Sequence, residues 1–332
     1  MEKSKILFSL LPICIFLSAC QGQKPFGAEQ LTLKQSILLP GVKGRIDHMD
    51  VNLKEQVVYM SALGNNSLEI VDIKNGKLLH SIKGLDEPQG VGFVSQTNEI
   101  MVANGGNGDC KFYNEETLQN TATINPGSDA DDVRYDSIDK KIYVGYGSGG
   151  IAVIDAIKHQ QAADVKLSAH PEGFQIDKEL KKLFVNVPDA GQIEVIDLES
   201  LTVVSKWKTE YSANFPMAID KSNHIIFIGY RHPAKLVAIN ESTGKTIATA
   251  DLTGDTDDLY YNSRTKKIYA SGGSGAIDIY LFENLSIKHV ANILTRDGAR
   301  TSLLIPSMKI FVLAERAGGG RVAQLQIFNI NE

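Results

Sequence analysis

Cysteine is scarce in this sequence. Three occur in 332 residues, Cys14, Cys20 and Cys110, with no CxxC and no CxxCH, which excludes a disulfide scaffold, a zinc ribbon and covalently held haem. Trp207 is the single tryptophan and no Trp-Asp pair occurs, so the signature of WD repeats is missing. Basic residues number 34 against 39 acidic, with no long run of Lys or Arg. A nucleic-acid partner needs a basic face to neutralise phosphates, and none is expected here. Apolar runs long enough to span a bilayer, about 20 residues, are absent too. What remains is 43% apolar with 29 Gly and 10 Pro, the composition of a folded globular chain.

The first twenty residues carry a separate message. Lys3 and Lys5 precede an apolar stretch from Ile6 to Leu17, interrupted by Pro12, and then Leu17-Ser18-Ala19-Cys20. Charge, apolar stretch and small residues in that order form an export signal. Leu-Ser-Ala-Cys resembles the lipobox of bacterial lipoproteins, which implies cleavage before Cys20 and diacylglyceryl modification of its thiol. Gln21 in place of Asp resembles the outer-membrane default of two-membrane bacteria. The resemblance implies loss of residues 1–19, a lipidated Cys20 with a tether over residues 20–30, and a chain anchored at the cell envelope. Cleavage takes two Lys and one Glu and leaves 32 basic against 38 acidic residues. Acyl chains hold such a protein without basic help, since each buried CH₂ contributes about 0.8 kcal/mol. Cys110, the thiol left over, reads as a small buried filler.

Residues 31–332 repeat. The segments starting at Asp47, Gln89, Asp131, Glu172, Phe215, Asp257 and Arg300 align, and their starts step by 42, 42, 41, 43, 42 and 43 residues. Each is followed by a strand-like run with a large side chain at a fixed place: Tyr59, Met101, Tyr143, Phe184, Phe227, Tyr269 and Phe311. These are expected core positions. A third strand of period two follows, as in Ser67–Ile73, and a turn such as Lys74-Asn75-Gly76-Lys77 leads to a fourth. Four short strands per unit and no helical period predict an all-β, seven-bladed β-propeller. The last unit lacks a strand, and residues 31–40 supply one ahead of the first, so the N-terminal strand is expected to close the last blade and protect its edge.

The Ile/Val-Asp that ends the third strand and the x-x-Gly-Lys turn after it resemble those of the YVTN-repeat, YncE-like β-propellers of bacteria. That resemblance covers residues 31–332. It implies a fold and a binding role, because fold alone carries no chemistry.

In a propeller the innermost strands surround a channel, so their first residues recur about 51° apart around one mouth. The first column reads Asp47, Gln89, Asp131, Glu172, Phe215, Asp257 and Arg300; the next adds His48, Asp132, Asp258 and Thr301. Positions just ahead add Arg45, Asp129, His170, Asn214 and Asp255. Strand side chains alternate between faces, so one column per blade is expected in the channel, with the choice left open. Two like charges about 6 Å apart repel by roughly 3 kcal/mol at an effective dielectric of 20. A carboxylate ring must therefore bind a cation, take up protons or pair with Arg. Three readings follow. The ring holds Ca²⁺ or Mg²⁺, with His48 or His170 admitting a transition metal. It is a polar cup in which Arg45 and Arg300 hold an anionic group. Or its Asp side chains accept backbone N–H bonds and fix turns.

Gly147-Ser148-Gly149-Gly150 and Gly272-Gly273-Ser274-Gly275 are read as tight turns, since no helix follows to cradle phosphate. No serine has a nucleophile-elbow context. The expected function is that of a lipid-anchored envelope module, monomeric, binding a small polar ligand or a protein partner through Arg45, Asp47, His48, Gln89, Asp131, Asp132, Glu172, Asp257, Asp258 and Arg300. The alternative is a metal-dependent hydrolase, lactonase or lyase with Asp47, His48, Asp131, Glu172 and Asp257 near a divalent cation. A redox-cofactor propeller is disfavoured by the single Trp and the lack of paired cysteines.

Overall fold

The computed structural model describes Met1 and residues 30–331. The export segment after Met1, Cys20 and all but the last residue of the tether lie outside the described residues. Each repeat becomes one four-stranded antiparallel sheet, and there are seven. The first runs Met49–Asn52, Val57–Ala62, Ser67–Asp72 and Lys77–Lys83 from the centre outward. Its second and third strands are buried throughout, because a neighbouring sheet packs on either face. The fourth alternates exposed and half-buried residues at the rim.

The leftover strand closes the ring. Leu31–Leu39 pairs antiparallel with Ala323–Ile330 as the fourth strand of the last blade, with Ile37 opposite Leu325 and Leu39 opposite Ala323. Seven apolar clusters result, each between two consecutive sheets. One of them joins Ile310, Val312 and Leu325 of the last blade to Val58, Met60 and Val71 of the first. The recurrent large residues Tyr59, Met101, Tyr143, Phe184, Phe227, Tyr269 and Phe311 are all buried in these seams. Each contributes on the order of 1.5–3 kcal/mol through apolar area removed from water. Cys110 lies fully buried in one cluster. Burial pushes its thiol far above the usual range, which leaves it inert.

The inner strands depart from simple alternation at one place. Ala130 pairs with Tyr146 and Val133 with Val144, so Asp131 and Asp132 together face the single residue Gly145. The same two-against-one arrangement sets Gln89 and Gly90 against Ala103, Phe215 and Pro216 against Gly229, and Asp257 and Asp258 against Ser271. Ser61 takes the Asp47 N–H at 2.8 Å and donates to the His48 carbonyl at 3.0 Å; Asn186 does the same with Glu172 and Gly173. These are β-bulges, which re-aim side chains. Both columns therefore reach the channel in the same blade, and the expectation of one column per blade is corrected. Where the second column holds Gly, the next blade's backbone fills the space. A Cβ on Gly90 would stand 2.1 Å from the Asp131 carbonyl oxygen, and one on Gly173 2.7 Å from that of Phe215.

Candidate ligand site at the channel mouth

The bulges open onto a cavity of about 1270 Å³ along the ring axis. Eight of the ten expected residues line it: Arg45, Asp47, His48, Asp131, Asp132, Glu172, Asp257 and Asp258. Gln89 and Arg300 do not. The Gln89 amide donates sideways to Asp129 at 3.2 Å, and Arg300 stands behind Asp257 as its partner.

The mouth has two walls of different chemistry. On one, Asp131 lies between two imidazoles, 3.5 Å from His48 Nε2 and 3.8 Å from His170 Nε2. His170 Nδ1 donates to the Gly147 carbonyl at 2.6 Å, which fixes that proton and aims Nε2 at Asp131. Burial opposes ionisation of Asp131, but the imidazoles of His170 and His48 outweigh it and hold its carboxyl far below the usual range. His170 gains in return: burial opposes its charge, yet Asp131 and the Gly147 carbonyl raise it to about 9. His48 is likewise raised against its burial, by Asp131, Asp132 and Asp47.

On the opposite wall Asp257 is clamped by two guanidiniums. Arg300 Nε lies 2.9 Å from Asp257, and its Nη1 2.7 Å from Asp255. Arg231 donates to Asp257 and, through Nε, to the Thr256 carbonyl at 3.1 Å. Its guanidinium sits 3.8 Å over the Phe215 ring, a cation–π contact that gives the aromatic member of the column its role. Arg45 is 2.9 Å from Asp47. Arg45 and Arg300 therefore neutralise ring carboxylates, instead of waiting for an anion as the polar-cup reading expected.

Glu172 is the exception. Among the described residues no side chain pairs with it by hydrogen bond or ion pair. Burial first, then the charges of Asp131 and Asp257, push its pKa up to about 8, against the pull of His170 and Arg231. Near neutral pH it carries its proton and is a donor. Burial likewise raises Asp47 to about 6 and Asp258 to about 7.

The turn-fixing reading fits two deeper acids, with the next blade's backbone in place of a local turn. Asp258 accepts from Ser302 N and Asp50 from Phe93 N, both at 2.6 Å. The ring does not collect around one point. Among the described residues, no three of its His, Asp and Glu side chains bring ligand atoms within 4.8 Å of one another, so the geometry expected of a cation held by Asp47, His48, Asp131, Glu172 and Asp257 is not formed.

The residues that neither column contains come from two sources. Asp50, Arg134, Gln175 and Tyr260 lie two or three positions further along the inner strands and line the cavity; Arg134 pairs with Asp132, and Tyr260 donates to the Ser302 carbonyl at 2.7 Å. The column spacing, continued two residues, carried that signal. Arg231 arrives from the strand Ile225–His232, outside either column.

No protein-family model matches this chain, and no curated protein matches it. Among solved structures, a chain of the mitotic checkpoint complex is similar over 98% of this chain and 100% of its own, at a TM-score of 0.75 and 17% identity. The fold is a seven-bladed β-propeller. Hydrazine synthase of Kuenenia stuttgartiensis is similar over 87% of this chain and 96% of the matched chain, again with a TM-score of 0.75 and 17% identity. At that identity the likeness concerns the propeller alone.

Proposed function

We propose that this propeller is a binding module of the YVTN-repeat, YncE-like kind, held at the cell envelope through Cys20, that takes a small polar ligand bearing a cationic group at its channel mouth. Glu172 carries the reading. It is a half-buried, protonated acid without a side-chain partner among the described residues, set in the field of Asp131 and Asp257. A cationic group placed there lets Glu172 ionise and relieves the repulsion that keeps it neutral.

The lining favours the same sign. Asp47, Asp50, Glu55, Glu115, Glu116, Asp131, Asp132, Asp257 and Asp258 face the cavity beside the protonated Glu172, against Arg45, His48, Lys54 and Arg134. A concave site lined mainly by one sign concentrates the opposite one. The ring-bound divalent cation and the hydrolase or lyase built on it have less support, since Asp131 and Asp257 are already engaged by imidazole and guanidinium. The fold also accommodates protein partners, as its occurrence in the mitotic checkpoint complex illustrates; the depth and polarity of the cavity favour a small molecule.

Two matched probe sets test the ligand class by thermal shift: putrescine, 1,4-butanediol and succinate, and glucosamine, glucose and glucuronate. An amine member is expected to raise the melting temperature of the wild type and to lose that effect in Glu172→Gln. Stabilisation by the acids but not the amines, or equal shifts in both proteins, would overturn the proposal. The envelope anchor is tested separately by fractionation, where Cys20→Ser is expected to leave the membrane fraction. Retention of that variant on membranes would refute the anchor and leave the mouth untouched.

A further inference from the structure

A second cluster lies at the far ends of the inner strands, between the fourth and fifth blades. Asp177 ends the strand Phe174–Asp177, His224 caps the turn Lys221–Asn223, and Glu241 follows the strand Ala234–Asn240. One ligand atom from each lies within 4.8 Å of the other two. Asp177 is 0% and Glu241 2% exposed, yet Asp177 Oδ2 and both carboxylate oxygens of Glu241 lack a hydrogen-bond partner. His224 Nδ1 is 3.4 Å from Glu241 Oε2 and is also unpartnered by hydrogen bond. Buried carboxylate oxygens left this way are costly.

The repeat supplies its own control. Between the first and second blades the equivalent positions are Asn52, Asn98 and Glu115. There the carboxylate is satisfied: Asn52 Nδ2 donates to Glu115 Oε1 at 3.1 Å and the Tyr59 hydroxyl to the same oxygen at 2.8 Å. At the later interface Asp177 stands for Asn52 and Phe184 for Tyr59, so both donors are gone. His224 stands for Asn98. The chain has exchanged two hydrogen-bond donors for a carboxylate and a hydrocarbon ring and has added an imidazole, while the backbone bond from Glu241 N to the His224 carbonyl, 2.9 Å, matches that from Glu115 N to Asn98, 3.0 Å.

We propose that Asp177, His224 and Glu241 form a binding site for a divalent transition cation, of the class of Zn²⁺ or Mn²⁺. Two carboxylates balance the double charge, and one imidazole nitrogen among oxygens suits these ions. Ca²⁺ prefers six to eight oxygens, more than these side chains supply. The His224 side chain is 42% exposed, so the ion enters from that side and water completes its shell. Bound there, it staples the fourth blade to the fifth. A shared proton is the competing way to satisfy the two carboxylates, and burial together with the Asp177 charge already raises Glu241 to about 8.

The test is equilibrium dialysis of chelator-treated protein against Zn²⁺, Mn²⁺ and Ca²⁺, with metal analysis and melting in parallel. The wild type is expected to take one equivalent of Zn²⁺ or Mn²⁺, with a raised melting temperature, and to leave Ca²⁺. Asp177→Asn restores the first interface's donor; it is expected to fold and to bind about 100-fold more weakly or worse. Asp131→Asn, at the mouth, is expected to keep its uptake. No uptake by the wild type up to about 1 mM, uptake surviving Asp177→Asn, or uptake lost only in Asp131→Asn would each overturn the site. If Asp177→Asn fails to fold, His224→Asn, the first interface's own residue on the exposed side, carries the same expectation.

Discussion

Glu172 and Asp131 share one mouth and are pushed in opposite directions, and the cause is their neighbours. Asp131 has two imidazoles; Glu172 has two carboxylates in range and no side-chain partner among the described residues. Glu172 binds its proton more tightly folded than unfolded, so the stability that proton confers is complete below its ordinary 4.5 and is lost as pH rises through about 8. His170 adds the same trend, complete below 6.5 and lost through about 9. Asp131 works the other way: its contribution is present above 3.8 and lost as pH falls. The melting temperature is therefore expected to peak between about pH 3.8 and 4.5 and to decline toward pH 9. Glu172→Gln should flatten the alkaline limb and gain about 1–3 kcal/mol relative to wild type at pH 8.5; melting curves from pH 4 to 10 decide it, and an unchanged limb contradicts the assignment. The sequence showed the ring carboxylates through their spacing. It could not show which would be paired, because Arg231 reaches Asp257 from the second strand of its blade, outside the columns that the spacing aligns.

At the scale of the strand, the bulge decides what the mouth contains. Alternation alone sends Asp132 and Asp258 away from the channel if Asp131 and Asp257 face it, and that inference was the wrong one. The residues opposite the bulged pairs, Ser61, Ala103, Gly145, Asn186, Gly229 and Ser271, are all small and keep the period of the columns. That recurrence was the available trace of two side chains meeting one. Gly90 belongs to the same device: a methyl there meets the Asp131 carbonyl oxygen at 2.1 Å and Val133 Cγ2 at 2.6 Å. Gly90→Ala is expected to cost about 1–3 kcal/mol as an overpacking change, read as a lower denaturation midpoint. A neutral result would mean that the second and third blades are not seated as closely as this register requires.

Across the whole molecule, the repeat made the fold legible and the departures from the repeat made the sites. Six near-equal steps between seven starts, recurrent large core side chains and a spare N-terminal strand dictate seven seams and a closed ring. Averaging over the repeats would erase both sites. Glu172 occupies a position where other blades carry Asp, Gln, Phe or Arg, and Asp177 with His224 and Glu241 departs from the hydrogen-bonded pattern of Asn52 with Asn98 and Glu115. The most direct measurement on the central claim is calorimetric titration of the stabilising amine at pH 7 in two buffers of different ionisation enthalpy, which counts protons exchanged on binding. The account predicts net proton release by the wild type, as Glu172 gives up its proton to face the cation, and clearly less release by Glu172→Gln. Binding with no proton release, or the same release from both proteins, would contradict it.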